Sequence, residues 1–117
     1  AAALAFGWQP GGRAQNAYTK VDEVAERILT LGYVPNNAYS QYLEISRIKE
    51  DIAVSGAQEC LSGTLQGLKT LLEQQREILT LAGEADDEGT ASQMSDYIKE
   101  QEKLVWMFQA ACQTCHA

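Results

Sequence analysis

Proline is scarce, with two in 117 residues. Helices can therefore run long, because proline is the residue that most reliably interrupts them. Long apolar runs are missing as well. None approaches the roughly 18 residues of a membrane-spanning helix, so no stretch reads as a membrane span. Basic residues are few: nine Lys and Arg stand against sixteen Asp and Glu, for a net charge of −7. That balance argues against binding DNA through a broad basic surface, since neutralising phosphates dominates such affinity. Neither end carries a lysine-rich arm. The charge suits a container that attracts cations. Histidine is rarest of all, with His116 alone. What the chain does hold is 45% hydrophobic and 21% charged residues. At this length that composition predicts a single, mostly helical domain over residues 1–117 with one core.

The most informative stretch is Tyr18–Gly32, YTKVDEVAERILTLG. Val21, Val24, Ala25, Ile28 and Leu31 recur at helical spacing and predict an apolar face. Gly32 stands where a helix usually ends on a left-handed residue. Asp22 and Glu26 are four apart, which puts two carboxylates on neighbouring turns at the edge of that face. Like charges so placed cost energy unless something positive lies between them, and a hard cation can fill that role. The alternative is a solvated acidic face with Lys20 and Arg27 nearby, since D-x-x-x-E is a common helical spacing.

Tyr33–Asn37, YVPNN, predicts a turn. Residues 38–49 then hold one short helix carrying Tyr39, Tyr42, Leu43 and Ile45. Ser55-Gly-Ala-Gln58 spells a capping box. Leu61, Leu65, Leu68, Leu72 and Leu79 follow at helical spacing and predict a long amphipathic helix to about Ala82, ended by Gly83. Cys60 falls on or near the stripe and is expected to be a buried thiol. Glu84-Ala-Asp-Asp-Glu88 is an acidic connector whose aspartates suit a helix start. Thr90-Ala-Ser-Gln93 spells a second capping box. Met94, Ile98, Val105, Phe108 and Cys112 continue at helical spacing to beyond Ala111, with Gln101 interrupting and Tyr97, Leu104 and Ala111 beside them. Trp106 and Phe108 read first as core. Cys112-Gln-Thr-Cys115-His116 has the C-x-x-C-H spacing of c-type haem attachment, in which two thiols hold the haem and the imidazole takes the iron. The same residues could form a redox or soft-metal pair, or a tail with no role.

DEVAERILTLG, QYLEIS, IKE and EADDEGTASQMSDYIKEQEKLVWMFQA together resemble the Dps miniferritins (DNA-binding proteins from starved cells), collinearly from about Thr19 to Ala111. The resemblance implies an all-α, ferritin-like four-helix bundle, with a short helix in the connector between the second and third helices. It implies a cytoplasmic homo-oligomer, a hollow dodecamer, that oxidises Fe(II) with peroxide or oxygen and stores ferric mineral. By resemblance Asp22 and Glu26 are the ferroxidase iron ligands, at a site shared between two subunits. Asp86, Asp87 and Glu88 fall near the corner that lines the iron-entry pores. The connector helix helps form the dimer. LAFGWQPGG is similar to the family's GFHWN-x-x-G segment, with Trp8 at its tryptophan and Gly7 where the family has a metal-binding histidine. A second histidine segment has no match, and most of the first helix is expected to be absent, leaving residues 1–17 poorly defined. DNA binding is not carried over, for want of a basic arm. Two other readings stand beside this one. One is a c-type haem protein of the cytochrome c′ kind, using Cys112, Cys115 and His116. The other is a catalytically silent structural oligomer.

Overall fold

The computed structural model describes residues 13–48 and 56–112. These contain four helices and no strand: α1 (Arg13–Thr30), α2 (Tyr39–Ile45), α3 (Ala57–Glu84) and α4 (Glu88–Ala111). The chain divides into two compact units, Ala1–Lys49 with α1 and α2, and Glu50–Ala117 with α3 and α4.

In the first unit, α1 stops as its sequence requires. Gly32 adopts φ +91°. The Gly32 N–H donates to Leu29 O and the Tyr33 N–H to Ile28 O, both at 3.0 Å. These paired bonds absorb carbonyls that a helix end leaves open, and the left-handed residue between them is cheap only as glycine. The connector helix is shorter than residues 38–49 and spans seven residues. It is held locally. Gln41 Oε1 accepts the N–H groups of Asn37 (3.1 Å) and Ala38 (3.2 Å). The Tyr42 hydroxyl donates to Asn36 O at 2.5 Å. None of its residues is buried, and Tyr39, Leu43 and Ile45 are well exposed.

The second unit is a helical hairpin with α4 packed along α3. Its turn begins inside what reads as a stop signal. Gly83 is helical, and α3 runs on to Glu84. The left-handed residue is Asp86, at φ +55°. The Asp86 N–H reaches Gly83 O (3.3 Å) and the Asp87 N–H reaches Ala82 O (2.8 Å), the same paired closure as after α1. Asp can take this conformation because its short polar side chain tolerates it better than most. The buried positions then run in step away from the turn: Ala82 and Thr90, Gln75 and Tyr97, Leu72 and Gln101, Leu68 and Leu104. Each fully buried leucine contributes about 1.5–3 kcal/mol relative to exposure. Arg76 and Glu102 meet at 3.6 Å on the surface of the hairpin. Such an exposed pair adds at most about 1 kcal/mol.

Several expectations need correction. The cap of α3 is Gly56, with no side-chain bond, and Ser55 lies outside the described residues. The cap of α4 is Asp87, so Thr90 sits inside the first turn rather than opening a box with Gln93. Cys60 is an exposed free thiol rather than a buried one. It flanks the leucine stripe near the start of α3. Trp106 is 67% exposed rather than core. It is two residues past buried Leu104, about 200° around the helix, and therefore faces away from the core. Phe108 is half-buried.

Candidate metal site

Asp22 and Glu26 both lie on α1, and both are exposed. Four residues of helix advance the chain by about 6 Å and turn it by about 40° beyond a full revolution. The two carboxylates therefore leave one side of α1 a turn apart. Glu26's backbone carbonyl is engaged by the Thr30 hydroxyl at 2.7 Å, which leaves its carboxylate out of that bond. Glu23, next to Asp22, is exposed as well but about 100° further round the helix. The chemistry of the pair is that of hard oxygen donors, which suit a small divalent cation. Two carboxylates do not complete a coordination shell. Among the described residues no group of three or more His, Cys, Asp or Glu side chains could hold a metal ion. Among the described residues the pair is therefore at most part of a site.

The acidic corner divides into different roles. Asp87 accepts the Thr90 N–H at Oδ1 (3.2 Å) and the Thr90 hydroxyl at Oδ2 (2.5 Å). Its carboxylate satisfies one open N–H of α4 and the hydroxyl of Thr90, a residue that is 9% exposed. Asp86 forms the left-handed turn, and Glu88 is the first residue of α4; both are exposed. Sequence reasoning did not pick out the Asp87–Thr90 pairing, although D-x-x-T is itself a capping spacing. It also passed over Gln75, which is 9% exposed, while Gln101, 3% exposed, appeared only as a break in a stripe. The side-chain oxygens of both are buried without a hydrogen-bond partner among the described residues.

At the end of α4, Cys112 is 1% exposed and disulfide-bonded. A disulfide sulfur is not the free thiol that thioether attachment of haem needs, and the haem reading finds no support. Cys115 and His116 lie outside the described residues, as do Gly7 and Trp8.

An all-α chain with a long helical hairpin and a carboxylate pair one turn apart on a separate helix has the features of a ferritin-like carboxylate protein. Residues 13–117 match the ferritin-like domain family. The chain is 87% identical over 101 residues to an uncharacterized protein of Haemophilus influenzae, covering 86% of this chain and 63% of that one. It is 43% identical over 91 residues to the DNA protection during starvation protein of Porphyromonas gingivalis, covering 78% of this chain and 57% of that one. Among solved structures, a Dps protein of Vibrio cholerae superposes with a TM-score of 0.80 at 43% identity, covering 93% of this chain and 76% of that one. That protein is described as a member of a broad superfamily of ferritin-like diiron-carboxylate proteins. The Dps of Listeria innocua shares the fold at a TM-score of 0.79 and 19% identity, over 93% of this chain and 83% of that one. The chain belongs to the ferritin-like family and, within it, to the Dps miniferritins. Its fold class is the all-α, ferritin-like four-helix bundle. It spans about three fifths of the length of the curated relatives it matches. No helix among the described residues is long and apolar enough to cross a membrane.

Proposed function

We propose that this chain is a subunit of a miniferritin shell, a dodecamer, that takes up Fe(II), oxidises it and stores the ferric product as mineral. The observation that carries the reading is the exposed Asp22–Glu26 pair on α1 of a Dps chain. Exposed carboxylates a turn apart are a poor choice for a lone subunit, because they repel. They are a good one where a second surface completes the oxygen shell around a cation. Iron is the substrate here. Each Fe(II) gives up one electron, and peroxide or oxygen takes the electrons. Asp22 and Glu26 hold the ion and favour the more highly charged ferric product. The remaining ligands come from a neighbouring subunit. Among the described residues the capping bonds go to Asp87 and not to Asp86 or Glu88, whose exposed carboxylates suit a path that draws cations in, whereas Asp87 has a structural task beside any such role. The negative charge of −7 favours cation entry and disfavours DNA.

The competing reading is a shell that assembles but does not oxidise iron. It draws on Gly7, which stands where the family has a metal-binding histidine, and on the family's second histidine segment, which has no match in this sequence. Anaerobic Fe(II) titration followed by melting tests the iron site on which the first reading depends, and ferric absorbance after oxygen or peroxide is admitted separates the two. A ligand at a hundred times its dissociation constant stabilises the folded state by about 2.7 kcal/mol. Asp22→Asn and Glu26→Gln should each remove most of the iron-dependent shift, while Glu23→Gln should keep it. Without iron, removing either carboxylate should leave stability unchanged or raise it by a few tenths of a kcal/mol. If the parent shows no shift, or all three variants retain it, the pair holds no iron. Native mass tests assembly separately: monomer at all micromolar concentrations would end the shell reading.

A further inference from the structure

We draw no further inference here: the strongest candidate, the buried and unpartnered carboxamide oxygens of Gln75 on α3 and Gln101 on α4, lies inside the helical hairpin with nothing among the described residues to show which ligand would satisfy them.

Discussion

Replacing Asp87 by alanine tests how the hairpin is held at its turn. The substitution removes two acceptors at once. The Thr90 N–H loses its partner at 3.2 Å and the Thr90 hydroxyl its partner at 2.5 Å. Losing an N-cap side chain costs about 1 kcal/mol. Leaving a buried hydroxyl unpaired costs about 1–3 kcal/mol. The lower figure applies here, because the bond is only part-buried and water can replace part of the lost acceptor. The sum is about 2 kcal/mol, or roughly a thirtyfold change in the folding equilibrium. With a urea slope of about 2 kcal/mol/M for a domain of this size, the midpoint should fall by about 1 M. Unfolding in urea, followed by helical circular dichroism at fixed protein concentration, measures this. Two comparisons sharpen it. Asp87→Asn keeps an acceptor and should lose no more than about 0.5 kcal/mol. Glu88→Ala removes an exposed charge from the same turn and should cost about as little. If Asp87→Ala falls within 0.5 kcal/mol of Glu88→Ala, about the resolution of such comparisons, the capping argument is wrong. Asp87→Asn serves a second purpose: slower iron uptake at unchanged stability would belong to the lost charge and not to the cap.

Other expectations follow from the same turns and core. Gly32→Ala should cost about 1 kcal/mol although an added Cβ meets no atom within 4 Å, because the whole penalty is backbone strain at φ +91°; a melting temperature equal to the parent's would contradict it. Asp86→Gly should raise stability by about 0.5 kcal/mol by relieving the same strain after α3, and a loss would mean that the aspartate side chain contributes more than its backbone costs. Gln101→Leu should be neutral or stabilising, because it removes a buried oxygen that lacks a partner, whereas Gln101→Glu should cost about 3 kcal/mol by placing a charge there. Equal effects from the two, measured by denaturant unfolding, would show that the site is solvated.

Helix positions were largely legible because the apolar periodicity of α3 and α4 is strong and the hairpin buries Leu65, Leu68 and Leu72 of the predicted stripe, with Leu61 and Leu79 half-buried. Helix ends were legible only where one residue carried the signal. Gly32 did, with a bare backbone poised for φ above zero. Gly83 misled, because glycine tolerates a helix interior and the next residue able to turn left-handed was an aspartate. The start of α4 had two competing spellings, D-x-x-T and T-x-x-Q. The first prevailed, and it leaves Glu88 in the first turn, where the helix dipole favours an acid. Cys60 and Trp106 were misjudged because a stripe has edges, and only packing shows how far its cover extends. Of the candidate site, spacing alone placed Asp22 and Glu26 a turn apart on α1, while their reading as an iron site came from the family resemblance. Under the shell reading the remaining ligands belong to a second copy of this chain, and periodicity does not show which of its residues would meet the pair.

The local bonds around α2 bear on when its order is acquired. A helix of seven residues is too short to be stable alone in water. Gln41 and Tyr42 tie this one to the backbone of residues 36–38. The entropy of fixing the connector is thus lost while the chain folds, not while a second surface arrives. Tyr39, Leu43 and Ile45 are held ready on a formed element, and side chains already ordered lose less freedom on contact. Removing the Tyr42 hydroxyl would therefore show itself first in the kinetics of association, while the α3–α4 hairpin melted as before.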